Sequence, residues 1–309
     1  MPLSRMQARA TEIVADEAIA ARISAMPVAQ EIAQSYIAGQ TLEAAVLTAR
    51  DKVEVGLDIA LHPLATRARD AAAADAAMGE ALDAVAALGS VAELAGHAEV
   101  SLELSTLGLG FDPAGAGDRA ARICRLARNA GVEVTIDDEG PQIHDRVLDV
   151  VHDLLADFPD TGVVVQAARH DSLEQIQELA VPGRRIRLCK GSYTGPSEVT
   201  LIRPHDVDLR MAACLRALVT GPATPLVATH DPVFVAITER LIEDLGRTDV
   251  EFQMLQGIRD LEQRRLVDVG HRMRVYLPYG TDWYRYCARR VIERPANVWL
   301  FARSMVGQR

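Results

Sequence analysis

The stretches Gly162-Val-Val-Val-Gln166 and Arg185-Ile-Arg-Leu-Cys-Lys190 decide the fold class of this chain. Both are short and nearly continuously apolar, which is typical of strands buried on both faces of a parallel sheet. Between them, residues 171–179 carry apolar side chains at helical spacing. A strand, a helix and a second strand in this order form a βαβ unit, the repeating element of parallel α/β folds.

The same alternation continues from residue 51 to the C-terminal part of the chain. Eight β-rich runs are spaced by about 30 residues on average, the length of one such unit. We predict strands at 53–60, 99–104, 132–137, 162–166, 185–190, 226–229, 250–255 and 274–277. Eight units predict the α/β class and a closed (β/α)8 barrel of the TIM type, with an open doubly wound sheet as the alternative.

Residues 4–50 differ from the rest of the chain in composition. They are rich in Ala, Glu, Gln and Arg and almost free of Gly and Pro, which predicts two or three helices. We therefore divide the chain into an N-terminal helical arm, residues 1–50, and a catalytic barrel, residues 51–309.

Charge and cysteine content exclude several classes of protein. The 309 residues include 33 basic and 43 acidic side chains, and a net charge of −10 argues against a general nucleic-acid binder. No apolar run approaches the ~18 residues of a transmembrane helix, and the first 20 residues lack a signal-peptide core. The four cysteines are scattered and form no CxxC pair, so we expect reduced thiols and a cytoplasmic protein.

Two glycine-containing motifs resemble phosphate-binding loops. Gly115-Ala-Gly117-Asp-Arg-Ala120 fits GxGxxA, but it follows a turn and not a strand. The dinucleotide fingerprint needs a strand that leads directly into the glycines, so we predict a loop that leads into a helix. Lys190-Gly191-Ser192 lacks the upstream glycine of a P-loop.

Polar side chains concentrate where the predicted strands end. In a parallel barrel these ends form the mouth, where barrel enzymes carry their chemistry. The residues at these ends are Glu103, Ser105, Asp137, Asp138, Glu139, Gln166, Lys190, Tyr193, Thr229, His230, Asp231, Gln253 and Tyr276. So many polar groups at one end predict a site, although helix capping is the alternative for Asp138, Glu139 and His230.

The segment from Tyr276 to Glu293 is the most informative. A strand ends at Tyr276-Leu-Pro-Tyr-Gly280, and on the helix that follows Tyr286 precedes Arg289 and Arg290 by three and four residues. This spacing places the three side chains on one helix face, where adjacent arginines could bind a carboxylate. The alternative is a solvated helix with an Arg289–Glu293 ion pair. With the other mouth residues, and with no metal triad visible, the pattern predicts a small carboxylate substrate beside an aromatic cofactor.

From about residue 99 onward, the sequence resembles the proline dehydrogenase family in its monofunctional bacterial form. The stretches that carry the resemblance are Thr135-Ile-Asp-Asp-Glu139, Val163-Val-Val-Gln-Ala167, Arg187-Leu-Cys-Lys-Gly-Ser-Tyr193, Ala228-Thr-His-Asp231, Glu251-Phe-Gln-Met-Leu255, Val275-Tyr-Leu-Pro-Tyr-Gly-Thr-Asp-Trp283 and Tyr286-Cys-Ala-Arg-Arg-Val-Ile-Glu293. The resemblance implies an FAD enzyme on a distorted (β/α)8 barrel that oxidises L-proline to Δ1-pyrroline-5-carboxylate. It also implies a quinone as electron acceptor and at most peripheral contact with the inner face of the membrane.

The resemblance also implies roles for individual residues. Asp137 and Tyr193 match catalytic positions, and Arg187 matches the arginine near flavin N5. Arg289 and Arg290 match the pair that holds the substrate carboxylate, with Tyr193, Tyr276 and Tyr286 as aromatic walls. The other positions that match flavin contacts are Asp138, Gln166, Lys190, Gly191, Ser192, Thr229, His230 and Glu293.

Three positions depart from the family pattern. Glu103, in Val100-Ser-Leu-Glu-Leu-Ser105, stands where the family usually has a lysine that binds the substrate carboxylate. Two like charges at ~4 Å repel by about 4 kcal/mol at an effective dielectric of 20, so Glu103 should weaken proline binding unless it is protonated or paired with Arg289 or Arg290. The first strand also lacks the usual terminal glutamate, and Ala168 replaces the usual tyrosine.

These observations leave four hypotheses open. The first is a proline dehydrogenase. The second is a flavoenzyme of this fold that oxidises another cyclic imino acid or amine, which Glu103 favours. The third is a non-catalytic relative, and the fourth is an aldolase-like barrel in which Lys190 forms a Schiff base.

Overall fold

Eight parallel strands form a closed barrel in chain order, β1 to β8. The computed structural model describes residue 26, residues 33–191 and residues 195–293, with side chains up to residue 288. The strands are β1 (Asp58–Pro63), β2 (Ala98–Leu102), β3 (Glu133–Ile136), β4 (Gly162–Gln166), β5 (Arg185–Cys189), β6 (Thr224–Ala228), β7 (Glu251–Leu255) and β8 (Arg272–Tyr279). The predicted (β/α)8 barrel is confirmed, and the open sheet is excluded.

Helices alternate with the strands and one precedes them. Within the described residues they are α1 (Leu42–Glu54), α2 (Ala71–Gly89), α3 (Pro113–Ala130), α4 (His144–Asp157), α5 (Ser172–Leu179), α6 (Pro204–Thr220), α7 (Pro232–Leu245), α8 (Asp260–Asp268) and α9 (Trp283–Glu293), with a short 3₁₀ helix at Ala92–Leu94. The predicted boundary after residue 50 falls inside α1, and the division into arm and barrel stays a prediction. The helices predicted before residue 33 lie outside the described residues.

The first predicted strand is placed too early in the sequence. Residues 53 and 54 still belong to α1, and the chain turns at Gly56, which has a φ of +83°. The β-branched Val53 and Val55 suggested a strand, but β1 begins only at Asp58. The GxGxxA segment lies in the first turns of α3, where Asp112 caps the helix by accepting a hydrogen bond from Gly115 N.

The apolar core lies between the strands and the surrounding helices, and ionic side chains fill the lower part of the barrel interior. Arg274 of β8 is fully buried and donates to Glu251 and, across the barrel, to Glu133. Glu99 is also fully buried and accepts hydrogen bonds from Arg185, at 2.5 Å, and from Arg187. Barrels of this type usually fill the interior with branched apolar residues, so this network is a feature of this chain.

The charge network sets the protonation state of its central acid. Burial alone would raise the pKa of Glu99, but attraction by Arg187, Arg185 and Arg274 outweighs it and lowers the pKa to about 2.

The barrel closes where β8 pairs with β1, from Asp58 opposite Arg274 to Pro63 opposite Tyr279. At this seam Arg274 Nη1 also donates to the backbone oxygen of Ile59, at 2.9 Å.

Candidate active site

Asp137 lies at the centre of the barrel mouth, directly after β3. Its carboxylate accepts hydrogen bonds from Ser101 Oγ at 2.8 Å, from the Tyr276 hydroxyl at 2.8 Å and from Arg187 Nη1 at 2.7 Å. These donors come from β2, β8 and β5, so closure of the barrel is what brings them together. The structure thus places three of the predicted site residues, Asp137, Arg187 and Tyr276, in one hydrogen-bonded group.

The Arg187 guanidinium is fixed on every side beneath this group. Nε donates to Gln253 Oε1 at 2.6 Å, Nη1 also donates to Ser101 Oγ at 2.9 Å, and Nη2 pairs with Glu99. Burial lowers the pKa of Arg187, but the charges of Glu99 and Asp137 outweigh it and raise the pKa above its ordinary value. Arg187 therefore provides a permanent positive charge directly beneath Asp137 and Tyr276.

Tyr276 is a neutral donor with a partly buried side chain. Burial, followed by the charge of Asp137, raises the pKa of its phenol well above the ordinary value, so the hydroxyl keeps its proton. The ring lies 5.7 Å from the Arg187 guanidinium and 5.3 Å from the His62 ring. A phenol in this state can orient Asp137 with its hydroxyl and pack a small ring against its face.

The ends of β4 and β5 form a second group of predicted residues. Gly191 follows β5 with a φ of +92°, and a Cβ atom there would lie 2.6 Å from Gln166 Oε1. Lys190 Nζ pairs with Asp208 at 2.6 Å and with Asp231 at 2.7 Å. Burial lowers the pKa of Lys190, but these hydrogen bonds raise it to a net value above normal. A lysine held cationic by two carboxylates is a poor amine nucleophile, which argues against the Schiff-base hypothesis.

The end of β6 places Thr229 and His230 beside β7. His230 Nε2 accepts a hydrogen bond from the backbone N–H of Leu255 at 2.9 Å. Thr229 Oγ1 accepts one from the N–H of Asp231, and Asp231 itself caps α7 by accepting from Val233 N. The capping alternative therefore applies to Asp231 and not to His230.

Asp138 is turned away from the mouth. Its carboxylate accepts hydrogen bonds from His144 Nδ1 at 2.9 Å and from Gly140 N at 3.3 Å. The side chains of Asp138 and His144 are both buried, at 3% and 1% exposure, beside apolar residues of α4 and β4. The N-cap of α4 is Ile143, which makes no side-chain cap bond, so Asp138 does not cap this helix, and its flavin contact stays a prediction.

Glu103 and Glu139 bring two carboxylates close together at the edge of the site. Glu139 is buried and accepts a hydrogen bond from Ser105 N at 2.8 Å. Burial, followed by repulsion from Glu103, raises the pKa of Glu139 to about 7. Repulsion from Glu103 also contributes to the raised pKa of Tyr276, and its position on the substrate side of the site stays a prediction.

Several residues of the site and of the ionic network beneath it were not predicted from the sequence. They are His62, Glu99, Ser101, Arg185, Glu251 and Arg274. A signal was present, because β2 and β7 alternate polar and apolar residues where a barrel interior should be apolar. The polar positions of each strand are the ones whose side chains meet inside the barrel.

Other predicted site residues are only partly described or lie outside the described part. Ser192 and Tyr193 fall outside it. Arg289, Arg290 and Glu293 lie on α9, of which the backbone is described there. Tyr286, on the same helix, packs against a small cluster that includes Ile37 and Trp283.

Comparison with known proteins assigns the chain to a family. The family model described as proline dehydrogenase matches residues 45–301. This chain belongs to the proline dehydrogenase family. Proline dehydrogenase 1 of Bacillus subtilis is 33% identical over 267 residues, which cover 86% of this chain and 87% of that protein. Proline dehydrogenase of Deinococcus radiodurans is 31% identical over 287 residues, which cover 89% of this chain and 90% of that protein.

A solved structure shares the fold of this proline dehydrogenase family member. Proline utilization A from Bdellovibrio bacteriovorus superposes with a TM-score of 0.79 at 22% sequence identity. The match covers 85% of this chain but only 32% of that protein, so the chain spans about a third of its length. The likeness confirms the barrel.

No helix within the described residues is both long enough and apolar enough to cross a membrane. The cytoplasmic location and the peripheral membrane contact stay predictions.

Proposed function

We propose that this member of the proline dehydrogenase family oxidises L-proline to Δ1-pyrroline-5-carboxylate, with FAD as cofactor and a quinone as electron acceptor. The observation that carries the proposal is the group formed by Asp137, Tyr276 and Arg187 at the barrel mouth. It combines an oriented carboxylate, a ring face and a fixed cation, which suit a small cyclic substrate beside a flavin. The names of the two bacterial relatives agree with it.

The donor set at the mouth fits FAD. Gln166 offers a buried amide at the end of β4, and Gly191 leaves room beside it that a Cβ atom would fill. Thr229 and Lys190 add a hydroxyl and a cation at the next strand ends, and Arg187 adds a fixed positive charge. These are the groups that would hold the cofactor, with Ser192, His230 and Glu293 as further proposed contacts. When bound, FAD would supply the acceptor for a hydride from the substrate carbon.

The residues of this chain would bind and orient the substrate. In the proposal, Arg289 and Arg290 of α9 bind the carboxylate, while Tyr193, Tyr276 and Tyr286 surround the pyrrolidine ring. Asp137, paired with Arg187, faces the ammonium group. The Arg187 cation stabilises negative charge that develops on the neighbouring acceptor. Fixed positions matter because hydride transfer needs the reacting atoms in near contact.

The proposal is tested by an absorbance spectrum of the purified protein before and after anaerobic L-proline. We expect a flavin band that bleaches with L-proline, and an Asp137→Asn variant that retains flavin but bleaches far more slowly. A flavin band that L-proline leaves oxidised would contradict proline as the substrate. Protein that takes up no flavin after FAD is added would contradict the cofactor.

A second candidate substrate class is favoured by Glu103. A carboxylate near Tyr276 could pair with a cationic group that proline lacks, so the substrate would be another cyclic imino acid or amine. A Glu103→Lys variant discriminates between the two. If proline is the substrate, the variant should bind it more tightly, because a repulsive charge becomes attractive. If the substrate carries an extra cation, that substrate should lose affinity in the variant. Flavin-loaded protein that oxidises no member of either class would indicate a non-catalytic relative.

A further inference from the structure

His62 lies in the mouth at the end of β1, next to the proposed substrate site. Its ring centroid is 5.3 Å from that of Tyr276, and its Nδ1 atom is 3.9 Å from Asp137 Oδ2. The side chain keeps 7% exposure. His62 therefore lies next to Tyr276 and Asp137, the two residues that are proposed to contact the substrate.

The hydrogen bond of Nδ1 determines which nitrogen carries the proton. Nδ1 lies 3.2 Å from the backbone oxygen of Ser101, which can only accept a hydrogen bond. In the neutral ring the proton is therefore on Nδ1, and Nε2 presents a lone pair. Among the described residues no donor forms a hydrogen bond with Nε2. Nε2 is also not among the fully buried polar atoms of these residues that lack a partner, so it remains accessible from the mouth. Within the part of the chain that the structure describes, a ligand in the mouth is thus the remaining source of a hydrogen bond to Nε2.

We propose that His62 Nε2 accepts the proton of the substrate's ring nitrogen, an inference that rests on the proposed function. A cyclic amino acid enters as an ammonium ion, whose nitrogen has no free electron pair. In the step, the N–H bond breaks, its electron pair stays on nitrogen, and the proton forms a bond to Nε2. The electron pair left on nitrogen is what the oxidation needs to form the C=N bond. His62 is thus a catalytic residue that makes the substrate oxidisable.

The surroundings of His62 stabilise the imidazolium that this step forms. Asp137, at the end of β3, lies within ion-pair distance of Nδ1, and the ring of Tyr276 on β8 is packed against it. Glu103, the next polar position after Ser101, acts on Tyr276 through its negative charge. Arg187 on β5 opposes the imidazolium, but its charge is already shared between Glu99 and Asp137.

The test compares His62→Asn with the wild type. The asparagine amide can still donate to the Ser101 oxygen, so the variant keeps the structural contact and loses the base. We expect kcat/KM for L-proline to fall by roughly 10²–10⁴-fold, the usual contribution of a general base, and the acidic limb of its pH profile to disappear. FAD content should not change. Added imidazole should partly restore the activity of His62→Ala.

A ring-oxygen analogue of proline, tetrahydrofuran-2-carboxylate, separates this role from packing. It has no ring N–H, so its binding, measured from the flavin absorbance, should be the same in His62→Asn and wild type. His152→Gln on the exposed face of α4 serves as the control and should behave as wild type. An unchanged kcat/KM and pH profile in His62→Asn, beside an active wild type, overturns the inference alone. Equal losses of analogue binding and proline turnover also overturn it, because they indicate packing. A wild-type flavin that L-proline cannot reduce overturns the proposed function and the inference together.

Discussion

Among the described residues the Tyr276 hydroxyl donates to Asp137, and its replacement separates that bond from the packing of the ring. In Tyr276→Phe the ring still packs against His62, but Asp137 loses a donor at 2.8 Å. A hydrogen bond to a charged group contributes about 1.5–3 kcal/mol to stability, so we expect a lower melting temperature, and because Asp137 is less well oriented we expect kcat/KM for L-proline to fall roughly 10–100-fold. Steady-state dye reduction and a thermal melt measure the two quantities.

Tyr279→Phe is the matched control for that variant. Tyr279 lies on the same strand, three residues later, and is buried in the apolar core. Its variant should keep the kcat/KM of the wild type. Equal losses of kcat/KM in the two variants would contradict a specific role for the Tyr276 hydroxyl.

Glu139 gives the molecule a stability that decreases as the pH rises. Its pKa is raised from 4.5 to about 7, so the folded protein binds this proton more tightly than the unfolded chain does. The contribution is complete below pH ~4.5 and is lost as the pH rises through 7. Glu139→Gln keeps an acceptor for Ser105 N and removes the titration. At pH 8 the variant should be more stable than the wild type by roughly 1–3 kcal/mol.

Thermal melts of both proteins from pH 5 to pH 8 test this prediction. The difference in melting temperature should grow across the interval, and Glu103→Gln should shift it to lower pH by removing the neighbouring charge. Parallel curves would show that Glu139 does not titrate in this range.

At the scale of elements, the two loops that flank β5 allow backbone strain to be separated from a side-chain clash. Gly183 and Gly191 have similar φ angles, +81° and +92°, but only Gly191 is crowded. Gly183→Ala has open space and should cost roughly 1–3 kcal/mol of stability from the backbone alone. Gly191→Ala should in addition displace Gln166 and lower the affinity for FAD at least tenfold.

Flavin content after gel filtration and thermal melts measure these two effects. Gly183→Ala should elute with its flavin. If both variants retain flavin equally, the contact between Gly191 and Gln166 does not shape the cofactor site.

The accuracy of a predicted strand depends on whether its apolar run is unbroken and on whether a tertiary turn interrupts it. β4 is predicted at the observed bounds because its apolar run is unbroken from Gly162 to Gln166. The first strand is misplaced because Val53 and Val55 favour β structure locally, whereas Gly56 turns the chain after α1. Local propensity cannot show that a tertiary turn overrides it.

At the scale of the whole molecule, the ionic network inside the barrel makes the free energy of unfolding decrease at low pH. The pKa of Glu99 is lowered to about 2, so its contribution is present above pH ~4.5 and is lost as the pH falls toward 2. Glu99→Gln removes the fully buried carboxylate that Arg185 and Arg187 share, leaves them paired with Glu133 and Asp137, and should cost about 3–5 kcal/mol at pH 7. Denaturant unfolding followed by circular dichroism between pH 7 and pH 2 measures both effects.

The control is Glu93→Gln, which removes a surface pair with Arg50 whose side chains are 59% and 42% exposed. It should change stability by less than about 1 kcal/mol. If the two variants lose similar amounts, the interior network does not stabilise the barrel.

The candidate site is predictable from sequence only at the strand ends. Asp137 and Tyr276 could be predicted because polar residues at the ends of apolar strands point to a barrel mouth, whereas Arg187, inside β5, was found only through the family resemblance. His62 escaped prediction because its position depends on the contact of β1 with β8, which joins the two ends of the barrel. The pairing of Asp138 with His144 could not be predicted because adjacent residues after a strand face opposite sides, and sequence alone does not show which side is the mouth.

The bond from Arg274 to Ile59 has a consequence for synthesis of the chain. The two residues are 215 positions apart, and at roughly 5–20 residues per second the ribosome needs about 10–40 s to make the second after the first. Until then, Glu133 and Glu251 lack the cation they share, and the outer edges of β1 and β7 are unpaired. A nascent chain with these acids must keep them hydrated, which opposes premature closure. Release of the last strand is thus the event that permits the barrel to form.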